Sequence, residues 1–193
     1  MRLPEVERGD SLRSRTLIRV ISAVSRMRLP DAARVAFYHS GFVGPTFGVW
    51  TQTVMRGPSE WSVAERELMA AMVARWNSCT FCTGAHRAIA IRGLDPAVVD
   101  ACLTDHNTAP IAEPLRATLG FLEAMTRDPE KLSAAHTRTA LHAGVTHAQL
   151  VDAAAVAALF NVITRYADAL DFAIPTRREF DKAAGMMLKR GYG

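Results

Sequence analysis

Apolar side chains recur at spacings of three and four along nearly the whole chain, and no convincing run alternates apolar with polar positions as a half-buried strand would. In "WSVAERELMAAMVARWNS" the pattern is plain, with Leu68, Met69, Met72, Val73 and Trp76 placed to face a core. The spacing predicts helices over roughly 11–27, 31–40, 47–56, 62–77, 80–92, 96–105, 113–126, 131–143, 147–170 and 176–190. Start signals support several of them. Ser62 followed by Glu65, and Thr146 followed by Gln149, have the capping-box spacing that satisfies otherwise unpaired amides at a helix start. Gly93, Gly144 and Gly191 each follow a helical run, where a left-handed residue ends the helix. The Pro- and Gly-bearing stretches 39–48 and 106–114 are short enough to be loops inside one domain. The expected architecture is all-α, a single-domain helical bundle of about eight to ten helices over residues 1–193.

Composition narrows the setting. The chain is 49% hydrophobic and 22% charged, a globular balance, with a formal charge of +4. Lys occurs only at 131, 182 and 189, and the arginines are scattered between acids, so no basic arm for nucleic acid is expected. The first sixteen residues are polar and charged, unlike a signal peptide. The most apolar stretch, 151–163, reads as a core helix too short to span a bilayer and contains Asp152. The expected location is cytoplasmic, where a close cysteine pair is more often catalytic or metal-binding than a staple.

Candidate chemistry lies in "CTFCTGAH", residues 79–86. If a helix starts near Cys79, capped by Asn77 or Ser78, then Cys79, Cys82 and His86 fall on one face over two turns. Both sulfurs would then sit at the positive end of the helix, where an anion is favoured and a thiol can fall from about 8.5 into or below the neutral range. The preceding helix supplies Glu67, an acid inside an apolar run. In an antiparallel hairpin it would lie deeper than His86 unless the turn or the crossing angle closes the gap; a solvated Glu67 beside Glu65 and Arg66 is the competing reading. At this level a redox pair, a zinc site and structural thiols all remain open, although a fourth zinc ligand is missing: Cys102, His106 and Glu67 are not spaced for it. A c-type haem is excluded because Thr83, not histidine, follows Cys82.

Glu67, Cys79, Cys82 and His86, at these spacings, resemble the signature of the alkylhydroperoxidase D-like proteins of the carboxymuconolactone decarboxylase superfamily, in its peroxidase-related branch. "FNVITRYADAL", residues 160–170, is similar to a later core helix of the same superfamily, so the resemblance covers roughly 50–175. It implies an all-helical trimer or hexamer without metal or organic cofactor, cycling the cysteines between dithiol and disulfide. By the same resemblance Cys82 would be the thiol that attacks a hydroperoxide. Cys79, nearer the surface, would resolve the sulfenic acid and meet a thiol reductant, whether lipoyl-bearing, thioredoxin-like or a peroxiredoxin. His86, supported by Glu67, would relay the proton. The chain departs from the best-known members at Phe81, where they carry a second relay histidine. The decarboxylase branch lacks the cysteine pair, which makes lactone decarboxylation the weaker inheritance; a redox sensor or zinc-bound assembly protein without turnover is the alternative.

Other residues attract blander expectations. Cys102, among apolar neighbours, reads as an inert core thiol. His39, His106, His136, His142 and His147 stand near helix ends or in loops, where surface or capping roles dominate. Asn161 and Arg165 share a face of an apolar helix, and are expected to satisfy a neighbouring helix end or to pair with Asp168. Phe42, Phe47 and Trp50 could line a path to the thiols or serve packing.

Overall fold

The computed structural model describes residues 1–38 and 44–192. Eleven α-helices are found among them: α1 Pro4–Arg8, α2 Leu12–Ser25, α3 Asp31–Tyr38, α4 Pro45–Arg56, α5 Val63–Trp76, α6 Thr80–Ala90, α7 Pro96–Asp105, α8 Glu113–Arg127, α9 Ala134–His142, α10 His147–Ala169 and α11 Arg177–Arg190. The all-α expectation holds. The extra helix is α1, whose five residues are too few to show a period. α9 begins three residues later than its pattern suggests because Pro129–Lys131 forms a 3-10 turn. Phe42 and the last two residues of the helix expected over 31–40, His39 among them, lie outside the described residues.

Both capping boxes form: Glu65 N–H donates to Ser62 Oγ at 3.2 Å and Gln149 N–H to Thr146 Oγ1 at 3.0 Å, with each Glu or Gln side chain reaching back to its cap amide. Thr176 and Glu179 make a third at the start of α11. Gly144 (φ 92°) and Gly191 (φ 72°) are left-handed as expected, but Gly93 is not. A Cβ at Gly93 would stand 2.8 Å from Ala64 Cβ, so close approach to α5 explains the glycine.

Helix α5 is the axis of the molecule. Nine consecutive residues, Arg66 to Ala74, are buried on all sides, where the apolar stripe alone anticipated one buried face. Neighbours α4, α6, α7, α8 and α10 surround it. Even Arg66 is enclosed; its guanidinium donates to the carbonyls of Val54 and Gly57, both at 2.9 Å, and so satisfies the end of α4. α10, at 23 residues, has the length and composition to cross a membrane, contrary to the shorter run read from the sequence. It instead packs against α5, with Ala153, Val156, Leu159 and Phe160 fully enclosed.

Helices α1 and α3 form a layer over the turn that joins α5 to α6. Asp31, at the start of α3, is fully buried; it takes an ion pair from Arg28 at 2.6 Å and the Ala173 N–H at 2.7 Å. Arg2 N–H donates to Leu170 O at 2.9 Å, tying the chain start to the end of α10. Val6 of α1 and Val35 of α3 complete a buried cluster with Ala74, Cys79, Phe81, Cys82, Ala167 and Phe172.

Candidate functional site

The turn joining α5 to α6 sets the position of the cysteines. Asn77 closes α5, Ser78 takes a left-handed φ of 61°, and Cys79 is itself the N-cap of α6 without a side-chain cap bond. Neither Asn77 nor Ser78 caps α6, contrary to the sequence expectation, because the left-handed residue moves the helix start onto Cys79. The Asn77 amide donates instead to Asn161 Oδ1 (2.9 Å) and Thr164 Oγ1 (3.0 Å) on α10, so Asn161 secures a neighbouring helix end as expected. Arg165 is exposed and forms no ion pair with Asp168 among the described residues.

The helix start is not at the surface. Cys79 is 0% and Cys82 1% exposed, because the α1–α3 layer and the partly buried Met1, Tyr166 and Leu170 close over it. The expectation that Cys79 lies nearer the surface is therefore corrected. All three cysteines are free thiols. The hydrogen bond from the Cys82 thiol lowers the Cys79 pKa despite opposing burial; the same bond, with burial, raises Cys82. Charge at rest accordingly favours Cys79 and leaves Cys82 protonated.

Glu67 and His86 do meet. Glu67 is completely buried, and the His86 Nδ1–H donates to its Oε2 at 2.6 Å, so the hairpin closes the gap that helical arithmetic left open. Two residues without a motif complete the network: Arg56 Nη1 pairs with Glu67 Oε1 at 2.6 Å, and Tyr192 O–H donates to the same oxygen at 2.8 Å. Arg56 also lies over the Tyr192 ring, 4.7 Å from its centroid. Burial alone would raise the Glu67 carboxyl, but His86 and Arg56 outweigh it and hold the group below its ordinary value. Burial and the Glu67 charge push Tyr192 well above the usual phenol range, which keeps it a donor. With Nδ1–H committed to a carboxylate, the His86 Nε2 is left as a free acceptor.

His86 and Cys82, one helical turn apart, both line a cavity of about 900 Å³. Its walls are mostly apolar: Ile89 of α6, Phe160 and Ile163 of α10, and Phe180 of α11. Cys79 does not line it. Phe81 stands edge-on to Phe172, centroids 5.3 Å apart, and so fills a wall where the resemblance has a histidine. α11 can approach α6 because of Gly84, where a Cβ would meet the Phe180 ring at 2.7 Å. Phe47 lines the cavity, whereas Trp50 is 40% exposed and does not.

The remaining candidates fall elsewhere. Cys102 lies in the main core with 1% exposure, matching its reading. His106 is buried, not at the surface, because the loop after α7 folds it against Trp76, ring centroids 5.7 Å apart. His136 caps α9 through the Ser133 N–H at 3.2 Å. Among the described residues no group of three or more His, Cys, Asp or Glu is arranged to hold a metal ion.

No family model and no curated protein sequence matches the chain. Solved structures do. An uncharacterized peroxidase-related protein from Silicibacter sp. TM1040 superposes with a TM-score of 0.76 at 22% identity, over 93% of each chain. An alkylhydroperoxidase AhpD core, an uncharacterized peroxidase-related protein from Ralstonia eutropha JMP134, gives 0.73 at 22% identity over 93% of this chain and 94% of its own. The debrominase Bmp8 gives 0.70 at 18% identity over 92% and 94% respectively. The fold of this chain is that of the AhpD-like, peroxidase-related proteins.

Proposed function

We propose that the protein is a thiol-dependent peroxidase that reduces organic hydroperoxides through Cys82, Cys79, His86 and Glu67. The observation that carries the reading is that Cys82 and His86 face one apolar cavity a helical turn apart, with the imidazole oriented by a buried carboxylate. The Cys82 thiol gives its proton to His86 Nε2, and its sulfur attacks the terminal peroxide oxygen. The O–O bond breaks, the alkoxide takes the proton back from His86, and Cys82 becomes a sulfenic acid. The Cys79 thiolate then attacks the Cys82 sulfur; hydroxide leaves, and a Cys79–Cys82 disulfide remains. Two electrons from an external thiol reductant restore the pair. With Phe81 at the position of the second histidine, His86 is the relay histidine among the described residues of this site.

A second reading has its own support. The debrominase among the fold neighbours has a cysteine-to-alanine variant solved with 2,3,4-tribromopyrrole, and the cavity here is wide and aromatic-walled. The same pair could deliver two electrons to an aryl bromide, giving arene, bromide, a proton and the disulfide.

Stoichiometric peroxide should remove two thiols and crosslink Cys79 to Cys82. Cys82→Ser should abolish peroxide consumption, and Cys79→Ser should leave a sulfenic acid that dimedone traps. Unchanged turnover in either variant overturns the mechanism, bromide release without peroxide consumption selects the second reading, and stoichiometric zinc in the purified protein supports a metal clip.

A further inference from the structure

A second concavity, of about 550 Å³, lies among α1, α2 and α3 and shares no lining residue with the cavity at Cys82. Its wall is Glu7, Arg8, Arg15, Ile18, Arg19 and Arg34, so four guanidinium groups face one carboxylate. Arg15, Ile18 and Arg19 share a face of α2 at i, i+3 and i+4, Arg8 ends α1, and Arg34 comes from α3. Backbone carbonyls fix two of the four. Gly9, left-handed at φ 90°, accepts from Arg15 Nε at 2.9 Å. Arg34, only 8% exposed, donates Nε to Leu29 O at 2.8 Å and Nη1 to Glu7 O. The nearby acids are drawn to Arg28, which pairs with Glu7 at 3.4 Å and with Asp31 at 2.6 Å, leaving Arg34 at 3.8 Å from Asp31. Arg8, Arg15 and Arg19 have no ion pair among the described residues. Burial first, and Arg28 second, hold the Arg34 guanidinium below its ordinary value despite Asp31 and Glu7. The cluster is short of negative charge.

The geometry points to a binding site for a small molecule that carries two or more linked phosphoryl groups. Arginine suits that ligand, because its planar fork sets two N–H donors against two phosphoryl oxygens; no lysine lines the wall. Arg15 and Arg34 are already held through Nε, so their Nη groups meet a ligand with less side-chain freedom left to lose. A single oxoanion would occupy only part of 550 Å³ and engage only part of the cluster, whereas linked phosphoryl groups match both the room and the number of arginines. Ile18 is the one apolar residue of the wall, which leaves little for a greasy ligand to gain.

The test titrates the full chain with inorganic phosphate, pyrophosphate and ATP by calorimetry at fixed ionic strength. Pyrophosphate should bind one per chain, below about 1 mM and about tenfold or more tighter than phosphate, and should weaken as chloride rises. ATP about tenfold tighter than pyrophosphate assigns the ligand to the nucleotides, and ATP no tighter assigns it to the phosphoryl chain alone; either supports the site. The double variant Arg8→Gln, Arg19→Gln changes two exposed side chains and should weaken pyrophosphate about tenfold or more, with the ligand-free melting temperature retained. Arg165→Gln, an exposed arginine on α10, should leave the affinity unchanged. No saturable binding of pyrophosphate up to about 10 mM, equal affinity for phosphate and pyrophosphate, or equal affinity in the double variant overturns the inference. None of these measurements involves a thiol or a peroxide, so the outcome is separate from that of the peroxidase assay.

Discussion

Successive helices hold the same pair at the same spacing: Cys82 with His86 on α6, and Cys102 on α7 with His106 just past its end. All four side chains are buried. Their surroundings differ. His86 meets a fully enclosed carboxylate at 2.6 Å, itself satisfied by Arg56 and Tyr192, and looks onto the cavity. His106 Nε2 stops 3.8 Å from the half-exposed Glu123, without a hydrogen bond, and faces Trp76 in the core. Spacing alone therefore does not make a site. A base needs a partner that fixes its tautomer and an opening through which substrate reaches it; α6 takes the first from Glu67 of α5 and the second beside α10 and α11, whereas α7, though it also packs on α5, has neither.

The sharpest way to break this contrast is to neutralise each carboxylate. Glu67→Gln leaves Arg56 charged and uncompensated in the interior and should cost about 3–5 kcal/mol in urea unfolding; Glu123→Gln should cost under about 1 kcal/mol. Similar losses would erase the distinction. Tyr192→Phe removes a donor to a buried anion and should cost about 1.5–3 kcal/mol. It should also change the pH profile of thiol reactivity at Cys82, which a purely structural tyrosine would leave alone. Gly84→Ala drives a methyl into Phe180 and should cost about 1–3 kcal/mol by overpacking. The matching position on α7, exposed Thr104, should tolerate Ala within about 0.5 kcal/mol. The smallest effect concerns acid. Burial lowers the His106 pKa, so as pH falls the unfolded chain takes up that proton first. Stability tied to His106 should be complete above about pH 6.5 and decline below it, and His106→Gln should flatten the decline. Equal acid slopes for the two proteins would contradict it.

Much of the fold was legible because helical periodicity is a local property. The caps at Ser62 and Thr146 need only residues three apart, and the cysteine motif needs two turns of one helix. The errors arise where distant segments decide. Ser78 adopts a left-handed backbone inside the turn, and the start of α6 slips onto Cys79. Tyr192 lies 125 residues from Glu67, and no spacing could connect them. The burial of Cys79 depends on α1, five residues long, and on α3 folding across the start of α6. His106 looked like a loop residue in "HNTAP" because its aromatic neighbour, Trp76, comes from another helix.

The bond from Ala173 to Asp31 joins two parts with separate tasks. Phe172, the residue before it, forms part of the cavity wall against Phe81. Lifting the first three helices would free the Ala173 amide and slacken that aromatic panel in the same movement. Deuterium uptake at this one proton should therefore report on roof and chamber together.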